Sequence, residues 1–162
     1  MEAGLMCNGE SLRDLDIGEY ADKEWDWVGI NRFGYLQRDF LDKIGKRFKY
    51  VYCCNGVRQG QEDFSKVVRV CDGWDIRFNT LCNCILWLER NWYRRVYLFG
   101  ADGGGRYYKQ EELGYTEDDI ACYQDGMERD LRVINEDFQC RIEVINMNPN
   151  SKMTKFRSLE TV

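Results

Sequence analysis

Val96, Tyr97, Leu98 and Phe99 form a short apolar run that opens directly onto Gly100, Ala101, Asp102 and three further glycines, Gly103 to Gly105. Parallel strands covered on both faces read as continuous apolar runs, and open α/β sheets hold ligands just past the carboxyl ends of such strands. The run therefore predicts a buried strand with a ligand crevice at its end. Asn8, Gly9, Glu10 and Ser11 stand in the same relation to an earlier apolar run at 3–7. Either loop alone reads as a tight turn; the pair points to a nucleotide site.

The same logic extends along the chain. Strands are expected near 3–7, 26–30, 48–53, 67–71, 96–99 and 142–146. Between them, Phe33, Leu36, Phe40, Leu41 and Ile44 recur at helical spacing, as do Ile120, Tyr123, Met127, Leu131, Ile134 and Phe138. The stretch 78–92 is apolar around much of its circumference and is expected to be the most buried helix. Strands alternating with helices predict an α/β fold, a Rossmann-like three-layer sandwich around a mostly parallel central sheet. At 162 residues the whole chain, 1–162, fits one domain with a sizeable core.

Composition removes several chemistries. The chain has no histidine, so it has no Ser-His or Cys-His nucleophile and no imidazole base. Proton transfer falls to carboxylate, tyrosine, cysteine, lysine or water. The eight cysteines (Cys7, Cys53, Cys54, Cys71, Cys82, Cys84, Cys122 and Cys140) lie mostly in apolar segments, where free cysteine acts as a small hydrophobe. Their spacing lacks the paired Cys-x-x-Cys of a zinc site, and no metal site is expected. The first ten residues lack the apolar stretch of a secretion signal, so a reduced, cytoplasmic protein is expected.

A net charge of −5 opposes a nucleic-acid partner. Arg90, Arg94 and Arg95 with Trp92 and Tyr93 read as a helix end and turn rather than a binding patch, because cations favour helix C-termini. No apolar stretch has the length of a transmembrane helix.

The strand-end motifs resemble those of single-domain bacterial sialyltransferases and their Rossmann-like relatives. Met6-Cys7-Asn8-Gly9-Glu10-Ser11-Leu12 is similar to that family's strand followed by Gly-Asn-Gly-Pro-Ser-Leu, and Val28 to Asn31 is similar to its strand ending in Asn. Arg77 to Thr80 with the apolar helix, then Val96 to Asp102, resembles a Thr-Ser-Gly helix and an Ile-Tyr-Leu-Ser-Gly-Ile-Asp strand. Asn146 to Lys152 resembles a Cys-Pro-Asn-Ser loop.

The resemblance implies an inverting glycosyltransferase that binds a nucleotide sugar, CMP-linked by family habit, and passes the sugar to a glycan acceptor. No other cofactor is required. It implies nucleotide contacts from Asn8, Gly9, Ser11 and Asn31. Asn79 and Thr80, at the start of the buried helix, read equally as anion contacts at a positive dipole end and as an ordinary cap. Asn55 is a further candidate contact. In the family, tyrosines after the glycine loop support the departing phosphate; here these are Tyr107 and Tyr108, with Arg106 alongside. The family also implies homo-oligomer formation.

Two departures bear on the chemistry. Gln124 falls where the family carries its histidine base, and glutamine accepts no proton. Asp125 or Asp102 then becomes the candidate base, with Glu111, Glu112, Asp118 and Asp119 nearby. Glu10 replaces a proline, placing a negative charge beside the proposed phosphate site. The segment after Asp102 is also short for a lid that excludes water.

Two other readings stay open. One is a nucleotide-binding module without catalysis. The other is a phosphotransferase like the pterin pyrophosphokinases, whose Rossmann-like domain is related, with magnesium held by Asp102 and Asp72 or Asp75.

Overall fold

A computed structural model describes residues 1–31, 33–53, 68–105, 108 and 116–158; for 33–37, 69, 119–120 and 122–125 the description covers the backbone only. The strands are β1 (Glu2–Met6), β2 (Asp26–Ile30), β3 (Phe48–Tyr52), β4 (Val68–Val70), β5 (Arg95–Phe99), β6 (Glu143–Asn146) and the two-residue β7 (Arg157–Ser158). The helices are α1 (Phe33–Lys43), α2 (Thr80–Arg90) and α3 (Glu117–Glu136), with short 3₁₀ turns at Glu10–Asp14 and Ile17–Tyr20.

The strands form one sheet in the order β4-β3-β2-β1-β5-β6-β7, and every described pairing is parallel. The chain winds outward from β1 through β4, then returns to the centre and winds the other way from β5. The reversal lies between β1 and β5, paired from Glu2 with Arg95 to Met6 with Phe99.

Side-chain alternation shows why both faces are covered. In β5, Val96 and Leu98 join one buried cluster while Phe99 joins another, with Tyr97 packed against it. β1 divides likewise, Ala3 and Leu5 to the first face and Met6 to the second, as a period of two requires. The first face packs on Leu81, Ile85 and Leu88 of α2 and on Ile134 of α3. The second packs on Phe40 and Leu41 of α1 and on Leu12 and Ile17 of the 3₁₀ turns. The result is an α/β three-layer sandwich with a parallel sheet, as the alternating pattern predicted.

An aromatic stack fills the second face. Trp25 lies on Tyr97 with ring centres 4.1 Å apart, and Trp27 on Phe99 at 5.4 Å. Gly4 makes room for it, because a Cβ there would stand 2.7 Å from the Trp27 ring.

α2 is fixed at both ends. Asn79 is its N-cap, its side chain accepting from the Cys82 N–H at 3.0 Å. At the other end Trp92 takes a left-handed φ of 67°, and the Tyr93 N–H reaches back to the Leu88 carbonyl at 3.1 Å. Glycine usually fills such a helix-ending position.

The arginine segment after α2 separates into different environments. Tyr93 is buried and donates to Asp26 at 2.6 Å, and Arg95 pairs with Glu2 and Glu143. Arg90, Trp92 and Arg94 face solvent. Among the described residues no helix is long and apolar enough to cross a membrane.

Candidate functional site

A cleft of about 250 Å³ opens beyond the carboxyl ends of β1 and β5, at the reversal of the sheet. It is lined by Asn8 and Gly9 after β1, Asn31 after β2, Asn79 and Thr80 at the start of α2, and the loop from Gly100 to Gly105 after β5. Met127, Asp130, Leu131 and Ile134 of α3 close one side, with Met153. Of the residues singled out in the sequence, the fold thus brings together Asn8, Gly9, Asn31, Asn79, Thr80 and Asp102.

Asp102 organises the rim. Its carboxylate accepts the Ser11 N–H at 2.9 Å, the Ser11 hydroxyl, and the Asn148 side-chain amide at 2.9 Å. Its carbonyl accepts the Lys152 N–H, and the neighbouring Ala101 carbonyl takes Asn146 at 2.8 Å and Ser151 at 2.6 Å. One carboxylate therefore ties the loops after β1, β5 and β6 together. This engagement gives Asp102 an architectural role at the rim, whatever chemistry it takes part in. Ser11 faces Asp102 and stands outside the cleft lining.

Gly9 serves the same joint. A Cβ there would lie 2.5 Å from both the Asp102 carboxylate and the Gly100 carbonyl. The Gly9 N–H donates to that carbonyl at 2.7 Å. Glu10 points away, with Arg13 3.6 Å from its carboxylate.

The loop beyond β5 needs its glycines. Gly103, Gly104 and Gly105 have φ of 81°, 129° and 88°, values that side chains disfavour. A Cβ on Gly104 or Gly105 would meet none of the described residues within 4 Å, so among these this part of the rim is open backbone.

Asn31 also adopts a left-handed φ, 51°, which asparagine tolerates better than most residues. Its amide donates to the Thr80 hydroxyl at 3.3 Å, joining the end of β2 to the start of α2. Asn83, fully buried one turn further on, takes the Asp75 N–H at 2.7 Å and donates to the carbonyls of Asp75, Phe78 and Asn79. It holds the approach to α2 in place, and the sequence reading passed over it.

The thiol at the cleft is disfavoured as a thiolate. Burial first, then the Asp102 charge, pushes Cys7 far above the ordinary thiol range. Burial and the Asp130 and Cys140 charges take Cys82 up to about 12.

Other expectations fall elsewhere. Tyr108 packs its ring on Phe40, centres 5.3 Å apart, while its N–H donates to the carbonyl of the lining residue Asn8 at 2.9 Å. Tyr107, Arg106, Asn55, Glu111 and Glu112 lie outside the described residues, as do the side chains of Asp119, Gln124 and Asp125 in α3. Asp72 and Asp75 are not part of the cleft, and Asp75 is held by Arg77 at 2.6 Å. The second carboxylate of the cleft is Asp130. Its signal was a charged residue set into the apolar stripe of Met127, Leu131 and Ile134.

A doubly wound parallel sheet with a crevice at its reversal point defines a broad class of nucleotide-type ligand-binding folds. Two solved structures within it are similar to this chain. One is a probable thiamine pyrophosphokinase from Staphylococcus saprophyticus, with TM-score 0.54, 15% identity, and 91% of this chain aligned to 65% of that one. Another is thiamine pyrophosphokinase from Bacillus subtilis, with TM-score 0.51, 13% identity, and 92% of this chain aligned to 61%. The chain thus spans under two thirds of the length of these neighbours, and the likeness is one of fold. No family model matches the sequence, and no curated protein sequence does so either.

These neighbours overturn the sialyltransferase resemblance and the glycosyltransferase function drawn from it. Its motifs sit at strand ends and at a helix start, where any doubly wound sheet places glycine, asparagine and aspartate. Their order along the chain follows the architecture and carries no information about a sugar donor.

Proposed function

We propose that the chain is a nucleotide-binding phosphotransferase of the pyrophosphokinase type, taking ATP with its magnesium at the cleft between β1 and β5. It would pass the terminal pyrophosphoryl group to an acceptor hydroxyl and release AMP. The observation that carries this reading is the cleft itself, at the sheet's reversal, with the start of α2 on one side and the open glycine backbone on another. Backbone N–H groups and a helix N-terminus favour phosphate oxygens. The fold neighbours support the same reading by their named activity.

The donor set suits metal brought by the nucleotide. Among the described residues no three His, Cys, Asp or Glu side chains form a metal-holding group. Magnesium commonly keeps several waters and is carried by substrate phosphates, so such a cage is unnecessary. Magnesium carried with the nucleotide would supply neutralisation of phosphate charge during transfer; among the described residues of the cleft lining there is no lysine or arginine.

Calorimetry with ATP, with and without magnesium, tests the binding, and AMP release in the presence of thiamine tests the transfer. Thiamine is the acceptor to try first because both neighbours are named for it. Magnesium-dependent ATP binding with AMP formation is expected; absence of nucleotide binding overturns the proposal. The commitment of Asp102 to Ser11 and Asn148 favours one alternative, a nucleotide-binding module without turnover. That alternative predicts binding and no AMP.

A further inference from the structure

Asp102 and Asp130 are the two carboxylates of the cleft lining among the described residues, and they differ in what already holds them. Asp102 takes three donors from Ser11 and Asn148. Asp130, half-buried on α3, has the Asn79 amide as its hydrogen-bonding neighbour. The Asn79 side-chain oxygen accepts from the Cys82 N–H, and Asn79 and Asp130 both line the cleft. Asp130 thus stands on the cleft wall near the start of α2, whereas Asp102 is tied to Ser11 and Asn148.

The setting of Asp130 is otherwise apolar, with Met127, Leu131 and Ile134 beside it on the cleft wall. Burial raises its pKa; the charge of Arg129 and the Asn79 hydrogen bond pull the other way. The other titratable groups around it are the Cys82 thiol on α2 and, at the strand ends, Cys7 and Asp102. A half-buried carboxylate that lines the cleft among apolar side chains and has raised basicity is equipped to receive a proton.

We propose that Asp130 is the proton acceptor of this cleft, taking the proton of the acceptor hydroxyl as its oxygen attacks the β-phosphorus of ATP. The inference rests on the pyrophosphoryl-transfer reading. The new bond joins the hydroxyl oxygen to the β-phosphorus. The bond from that phosphorus to the oxygen bridging the α-phosphate breaks, its electron pair leaving on AMP. The proton moves to the Asp130 carboxylate and is later lost to water.

The test compares the full chain with Asp130→Asn and Asp130→Glu. Three readouts are needed: affinity for magnesium-ATP by calorimetry, AMP release with thiamine or water as acceptor from about pH 5 to about pH 9, and carboxyl-carbon NMR titration of Asp130. Asp130→Asn should lower kcat by about 10²- to 10⁴-fold, hold the ATP dissociation constant within about threefold, and erase the acid limb of the kcat profile. The wild-type acid limb should coincide with the Asp130 carboxyl titration. Asp130→Glu should retain part of the rate with a displaced acid limb, and it carries the test if Asp130→Asn does not fold. An Asp130→Asn protein with near wild-type kcat and an intact acid limb overturns the proposal. Wild-type protein that binds ATP without releasing AMP overturns it too while leaving the nucleotide site standing. Wild-type protein that does not bind ATP removes the proposed function and this inference together.

Discussion

Ser11 gives both its backbone N–H and its hydroxyl to the carboxylate of Asp102, a residue 91 positions further along the chain. The contact closes the loop after β1 onto the loop after β5, and so sets the width of the cleft. Hydrogen bonds to a charged acceptor contribute about 1.5–3 kcal/mol each, less where solvent reaches them. Ser11→Ala, which removes only the hydroxyl, should cost about 1–2 kcal/mol in urea unfolding. Asp102→Ala should cost more, about 3 kcal/mol, because it also strands the Ser11 N–H and the Asn148 amide.

Gly9→Ala tests the same joint from its backbone side. The added methyl meets the Asp102 carboxylate and the Gly100 carbonyl, neither of which is a flexible chain end. The loops must separate, at about 1–3 kcal/mol. A lower urea midpoint with weaker magnesium-ATP binding is expected; unchanged values for both would mean that the rim relaxes freely.

The buried amide of Asn83 answers one N–H and three carbonyls. Asn83→Leu keeps the volume and abandons all of them. Each buried group left unsatisfied costs about 1–3 kcal/mol, so a total loss of about 3 kcal/mol or more is expected by chemical denaturation. Amide exchange should quicken first at Asp75 and Cys82, around the start of α2.

Asn31→Gly and Asn31→Ala separate backbone from side chain. Alanine in a left-handed conformation costs about 1–2 kcal/mol, whereas glycine adopts it freely. Asn31→Ala should therefore be the less stable variant. If the amide contacts nucleotide, calorimetry should show both variants weakened to a similar degree.

Asp75 gives a pH signature. The Arg77 side chain, then its backbone N–H, hold the Asp75 carboxyl down to about 2. A depressed carboxylate contributes stability that is present above the ordinary carboxylate pKa near 3.8 and is lost as pH falls through about 2. NMR titration should place its midpoint near 2 in the wild type. Arg77→Ala should move it up toward the ordinary range.

The described strands, α2 and the cleft's place beyond β1 and β5 were legible because each rests on a local pattern. Apolar runs marked β1, β2, β3, β5 and β6, and helical stripes marked α1 and α3. Asn79 sat in plain view before an apolar helix, and its capping role follows from its residue type. β7 escaped because two residues carry no periodicity, and the 3₁₀ turns escaped because Leu12 and Ile17 fit no longer stripe. The pairing of Ser11 with Asp102 was illegible for another reason: nothing near either residue encodes a partner 91 positions away. Asp130 stood outside the candidate residues because the stripe of Met127, Leu131 and Ile134 around it reads as a core face.

The sheet order also bears on how the chain is made. β1 emerges first from the ribosome, yet its partner β5 begins only at Arg95. While β2, β3 and β4 assemble on one side, the other edge of β1 stays unsealed for most of the first hundred residues. At about 5–20 residues per second, that edge is open to other nascent chains for several seconds or longer. The crevice at the sheet's reversal thus lies beside the pairing of β1 with β5, which the chain can complete only after the strands on one side have been made.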